Sequence, residues 1–143
     1  MDQIELDVER TLVDGFLREV MQTNPKATYG EKMVRSALNQ GAVSTLLLSE
    51  AISSRRVVWV CKSCTNEWEV TLSNSSAIPT CTDCNSVRVQ EDSERTMDLI
   101  DELTILAEHT SADVRLVSLD TEEGATLNIS FGGIAALLRY AIS

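Results

Sequence analysis

The stretch VVWVCKSCTNEWEVTLSNSSAIPTCTDCNSVRV, residues 57 to 89, decides how the rest of the chain is read. It holds all four cysteines of the 143-residue sequence, in two pairs: Cys61-Lys62-Ser63-Cys64 and Cys81-Thr82-Asp83-Cys84. Sixteen residues, 65 to 80, separate the pairs, which is a zinc-ribbon spacing. Each C-x-x-C turn aims two sulfurs at one point. Two such turns at the ends of a short β-ribbon complete a tetrahedral cage, in which zinc accepts four thiolates at about 2.3 Å. With all four positions filled by Cys61, Cys64, Cys81 and Cys84, one Zn²⁺ per chain would be structural, with no open place for water or substrate. Two disulfides or idle thiols are the alternatives, and an iron centre is a further one, since four sulfurs in tetrahedral array also suit iron.

The flanks of this stretch read as strands. Val57 to Val60 lead into the first knuckle, 67 to 72 alternate with Trp68, Val70 and Leu72 on one face, and 73 to 76 read as a turn. Many zinc knuckles carry glycine after the second cysteine. Here those places hold Thr65 and Asn85. Asparagine tolerates a left-handed backbone and a β-branched threonine does so poorly, so the second knuckle is expected to be the more regular. A ribbon of 57 to 90 is too small to bury a core and is expected to be largely unfolded without metal.

Working outward, the reading is α, α, β, ribbon, α, β, α, β. The first helix, 2 to 21, buries Val8, Leu12, Val13, Phe16, Leu17, Val20 and Met21 and stops at Thr23-Asn24-Pro25. A second, 31 to 40, turns Val34, Ala37 and Leu38 inward and ends at Gly41. A buried-type strand follows at 42 to 48. After the ribbon come a helix at 94 to 109 and a strand at 113 to 119. Asp120-Thr121-Glu122-Glu123 reads as a capping box opening a helix, although Leu127, Ile129 and Phe131 alternate as a strand would. Gly132-Gly133 turns the chain, and 134 to 140 is the last strand. The fold class is α/β: a layered sandwich with a mixed central sheet and helices on both faces, formed by 1–56 and 91–143 and interrupted by the ribbon at 57–90.

Composition narrows the function. Twelve Lys and Arg against 22 Asp and Glu give a net charge of −10. An acidic chain repels a phosphate backbone, so tight direct nucleic-acid binding is not expected, and a protein partner fits better. The charge is uneven: within 57 to 90, Lys62 and Arg88 face only Glu67, Glu69 and Asp83. With Arg55 and Arg56 this is where RNA would touch. No run of about 18 apolar residues exists, so no membrane span is expected. The N-terminal sequence lacks a basic, apolar leader pattern, which predicts a cytoplasmic, reducing location where disulfides are disfavoured. His109 is the sole histidine and reads as a helix-end residue. Trp59 and Trp68 read as cover for the ribbon, and Gly132-Gly133 as a turn. No nucleophile–histidine–acid set and no paired-acid motif is present, so no catalytic residue is assigned and a non-enzyme is expected. Arg139 and Tyr140 stand out as a pair of the kind enriched at binding hot spots.

Three segments in order carry a resemblance: TYGEKMVRSALNQGAVSTLLLSEA at 28 to 51, the two cysteine pairs, and SLDTEEGATLNISFGGIAALLRY at 118 to 140. Together they resemble the C-terminal domain of the archaeal and eukaryotic class-1 peptide-chain release factors, the archaeal form most. The related rescue factor Pelota is similar in the α/β domain but lacks the ribbon. The resemblance implies translation termination. Stop-codon recognition and peptidyl-tRNA hydrolysis would belong to domains bearing NIKS-type and GGQ motifs, neither of which this sequence contains. It implies that the chain is the third domain, docking a translation GTPase of elongation-factor-1-alpha type and the ABC-type recycling ATPase on the ribosome. The family's Gly-Ile-Leu-Arg-Tyr run, associated with GTPase binding, corresponds here to Ala136, Leu137, Leu138, Arg139 and Tyr140. The alternative is an RNA-contacting zinc-ribbon module of a related rescue factor.

Overall fold

The protein is described by a computed structural model covering residues 3–72 and 78–141. The chain forms two compact units: Met1–Ile52 with Leu103–Ser143, and Ser53–Glu102. The second is wider than the stretch between the strands that flank the cysteines.

The first unit is built on a four-stranded sheet of order β1-β8-β2-β7, with β1 at Ala27–Tyr29, β2 at Val43–Ser49, β7 at Asp113–Val117 and β8 at Ile134–Leu138. Only β2 and β7 are parallel, Leu46 facing Val114 and Leu48 facing Leu116; β8 runs antiparallel to both β1 and β2. The sheet is therefore mixed. Its pleat sorts the core. Leu47 and Ala135 pair across β2 and β8, and join Ala27, Val117, Val13 and Phe16 of α1 (Gln3–Val20) and Leu127 of α4 (Glu122–Ser130) in one buried cluster. Leu46, Leu48 and Ala136 have the opposite parity and are also buried, so the second face is covered too. α2 (Glu31–Asn39), which packs on β1 and β8, buries Val34, Ala37 and Leu38 as its sequence predicts. It closes in a Schellman motif with Gly41 left-handed at φ 69°; Gly41 N–H donates to the Leu38 carbonyl and Ala42 N–H to that of Ala37.

The second unit is a smaller antiparallel sheet. β3 (Arg55–Cys61) lies between β4 (Glu67–Leu72) and β5 (Val89–Glu91), and the two-residue β6 (Met97–Asp98) pairs with the start of β3. Trp59 faces Trp68 across the β3–β4 ladder, and Trp59 is buried with Val57 and Val58. The ribbon tryptophans therefore pack. The turn expected at 73 to 76 lies outside the described residues.

Several expectations need correction. Met21 lies past the end of α1 and is 82% exposed, and Val8 is exposed too. Glu9, by contrast, is only 7% exposed: its Oε2 accepts the Ser118 N–H at 3.1 Å. The third helix, α3, covers Leu99–His109 and not 94 to 109. Residues 92 to 96 are held instead by local side-chain bonds: the Asp92 carboxylate accepts the Glu94 N–H at 3.1 Å, and the Thr96 hydroxyl donates to the Asp92 carbonyl at 3.0 Å. Such bonds compete with helix formation. The segment after Thr121 is a helix throughout. Its cap is Thr121, whose hydroxyl accepts the Gly124 N–H at 3.0 Å, so the expected Asp120–Glu123 box is displaced by one residue and its reciprocal half is not formed. β1 and β6 were not anticipated.

Candidate metal centre and partner surface

The two knuckles are built alike. In the first, Thr65 N–H donates to the Cys61 carbonyl at 3.0 Å and Cys61 N–H to the Asn66 carbonyl at 2.8 Å. In the second, Asn85 N–H donates to the Cys81 carbonyl at 3.0 Å and Cys81 N–H to the Ser86 carbonyl at 2.9 Å. Both residues after the second cysteine are left-handed, Thr65 at φ 62° and Asn85 at φ 59°. The expectation that the second knuckle is the more regular is thus overturned: the ring of bonds imposes the same turn on threonine. A left-handed non-glycine residue costs about 1–2 kcal/mol. Thr65→Gly is therefore expected to stabilise the second unit by about 1 kcal/mol, after allowing for glycine's greater freedom when unfolded; thermal melting of the variant checks the sign.

The four sulfurs converge. All four Sγ atoms lie within 4.8 Å of one another. Across the knuckles, Cys61 Sγ is 3.7 Å from Cys84 Sγ, and Cys64 Sγ is 3.6 Å from Cys81 Sγ. A regular ZnS₄ tetrahedron with bonds of about 2.3 Å has edges of about 3.8 Å; the two cross-knuckle edges match that length, so the donor set fits a thiophilic divalent ion. Backbone N–H groups turn toward the sulfurs as well: Cys64 N–H to Cys61 Sγ at 3.5 Å and Asp83 N–H to Cys81 Sγ at 3.4 Å. These bonds bias the thiols unequally. The Cys84 N–H, with that of Asp83, pulls Cys81 down to about 6, and the Cys64 N–H lowers Cys61. Against the pull of the Asn66 N–H, burial and the neighbouring thiols together push Cys64 up to about 12. A cation taking all four sulfurs must therefore displace protons on entry.

The surroundings do not favour RNA. Arg55, though exposed, lies 2.9 Å from Glu91, and Arg56 lies 3.5 Å from Glu69, so two of the four cations of the expected basic patch face carboxylates; Lys62 and Arg88 are exposed. Nearby, Arg95 bonds Glu67 at 3.0 Å and Asp92 at 2.6 Å and holds both carboxyls below the usual carboxylate range, tying β4 to the turn after β5.

The five residues at the end of β8 divide in two. Ala136 is 0% exposed and Leu138 is buried; both belong to a strand flanked by β1 and β2. Leu137 is partly buried against the α1 cluster. The side chains of Ala136 and Leu138 fill the core of the folded domain and present little surface to a partner. Arg139 and Tyr140 lie past the strand and are exposed, Tyr140 at 48%. Arg139 is anchored: its N–H donates to the Ala42 carbonyl at 2.7 Å, and Nη2 to the Thr110 carbonyl at 2.8 Å. His109 is exposed at the end of α3, as its place in the sequence predicts.

The molecule is thus a mixed α/β unit with a four-cysteine β-ribbon set into its chain. Residues 7–142 match eRF1 domain 3, and the chain belongs to that family. It is 41% identical to peptide chain release factor subunit 1 of Methanobrevibacter smithii over 96% of this chain and 34% of that protein. The chain thus spans about a third of the length of the curated relatives it matches. It is 36% identical to the solved C-terminal domain of the peptide chain release factor from Methanosarcina mazei, with a TM-score of 0.83 over 96% of this chain and 85% of that one. A model of ribosome-bound archaeal Pelota and ABCE1 shares the fold at 19% identity, with a TM-score of 0.58 over 97% of this chain and 28% of that one. Among the described residues no helix is long and apolar enough to cross a membrane.

Proposed function

We propose that this domain is the docking module of a cytoplasmic peptide chain release factor. It grips an elongation-factor-1-alpha-type GTPase through the strand end at Arg139 and Tyr140, and meets the ABC-type recycling ATPase on the ribosome. Peptide release itself falls to other domains of the full-length factor. Cys61, Cys64, Cys81 and Cys84 hold one structural zinc ion that staples the ribbon. The carrying observation is the contrast between the end of β8 and the two residues that follow it. Ala136 and Leu138 are locked in the sheet, while the next two residues emerge as an anchored guanidinium and a half-exposed phenol. A guanidinium already held in place suits binding because little freedom is lost on contact, and an exposed Tyr beside it adds apolar area. The net charge of −10 supports a protein partner over bare RNA. The ribosome-bound Pelota model with ABCE1 supports the ribosomal setting through a shared fold.

The test is a double variant, Arg139→Ala with Tyr140→Ala. Affinity for the GTPase is expected to fall roughly tenfold or more, while the melting midpoint moves by no more than a few degrees, since the β8 backbone bonds are untouched. Undiminished affinity in a folded double variant would move the docking site elsewhere. Loss of the fold would show that the pair belongs to the core.

A further inference from the structure

The two knuckles share a repeat that reaches beyond the ligands. Asn66 and Ser86 each stand five residues after the first cysteine of their pair. With its carbonyl, each accepts the N–H of that first cysteine, at 2.8 Å and 2.9 Å. With its side chain, each crosses to the opposite knuckle. Asn66 Nδ2 lies 3.9 Å from Cys81 Sγ and donates to Thr82 Oγ1 at 3.3 Å. Ser86 Oγ lies 2.9 Å from Ser63 Oγ and also accepts the Arg88 N–H at 3.1 Å. Each residue thus fixes its own turn through the main chain and the other turn through the side chain.

We propose that Asn66 and Ser86 are a pair of crossed braces that position the four sulfurs, and that Asn66, whose amide reaches a ligand sulfur, sets how fast the bound metal is lost. This rests on the four-thiol metal reading. Ligand sulfurs are tuned by the groups that donate to them, and loss of such a partner costs roughly 10- to 100-fold in metal retention. A thiolate that loses an N–H partner also holds its electrons less tightly. In the cobalt-substituted protein, this moves the sulfur-to-metal charge-transfer band to lower energy.

The experiment loads the 143-residue chain with Zn²⁺ or Co²⁺ and follows metal loss to a chromogenic chelator. Asn66→Ala is expected to lose metal about tenfold faster than the parent chain, with a red-shifted cobalt band. Asn66→Asp keeps the size of the side chain but replaces the donor with a carboxylate beside a thiolate, so it should be faster still. Ser86→Ala should quicken release less and leave the band in place, and Ser86→Thr should restore the parent rate. If Asn66→Asp does not load at all, the Asn66→Ala rate and band decide the matter. Parent-like release and an unmoved band in the Asn66 variants, on a parent chain holding one metal ion, would overturn the brace alone. A parent chain that retains no metal would overturn the four-thiol reading and the brace with it.

Discussion

Replacing Cys61 by serine is expected to abolish metal retention and melt the ribbon, while leaving the α/β unit folded. Cys61 is buried, ends β3, and places its sulfur 3.7 Å from that of Cys84. A serine hydroxyl is a poor ligand for a thiophilic ion, and three sulfurs leave the cage open. Binding to a structural zinc site contributes about 10–16 kcal/mol in small metal-folded peptides, which exceeds what a ribbon of this size gains from burial. The α/β core is a separate matter: the cluster of Val13, Phe16, Ala27, Leu47, Val117, Leu127 and Ala135 takes no residue from 53–102. Elemental analysis should fall from one zinc per chain to none. Amide resonances of the ribbon should collapse toward random-coil positions, and those of β2 and β8 should stay. Full metal content in the variant would refute the ligand assignment, and collapse of both sets of resonances would refute the independence of the two units.

Gly124→Ala should be the most damaging conservative change in the α/β unit. A β-carbon at this position would lie far inside contact distance of the Ser118 carbonyl oxygen, and close to the Thr121 hydroxyl that caps α4. Main chain cannot step aside as a flexible side chain can. The first turn of α4 would have to lift from the 118–121 turn, losing the cap and loosening the contact between α4 and α1. The cost is about 3 kcal/mol or more, or a fall of about 10 °C or more in melting midpoint for a unit of this size. Gly15 provides the opposite case. It sits inside α1 with open space where its β-carbon would go. There the same substitution should stabilise by about 0.5–1 kcal/mol, because alanine loses less freedom in a helix. Equal effects at the two sites would show that the close approach at Gly124 is not a constraint.

The sequence was most informative where chemistry is local. Paired cysteines at fixed spacing announce a shared centre, and the sulfurs do converge. The apolar period of α2 and its Gly41 terminus are also local facts, and the structure has both. What sequence could not show is where each strand lies within a sheet. Ala136 and Leu138 look like part of a sticky run at 136 to 140. Only the order β1-β8-β2 reveals that this strand is central and its small and branched side chains are core. α4 was hard for a related reason: Ile129 is 81% exposed, so its helix carries no clean apolar stripe, and an alternating reading competed. The three residues of β1 are too few to show any period. Asn66 and Ser86 could have been noticed, since each follows its knuckle at the same offset, but nothing in composition distinguishes them from ordinary loop residues.

The order of the main sheet also bears on how the chain is made. The strand between β1 and β2 is the last one along the sequence, so Ala27 pairs with Leu137 across more than a hundred intervening residues. During synthesis the early strands have no middle neighbour to close upon, and both present open edges while the ribbon is translated. Pairing over such separations is slow and exposes unsatisfied edges to other nascent chains. The ribbon pairs strands much closer in sequence, Trp59 with Trp68 and with Glu91, and can close first. A cell starved of its metal would therefore accumulate chains whose α/β unit closes late, as it always does, and whose ribbon stays open.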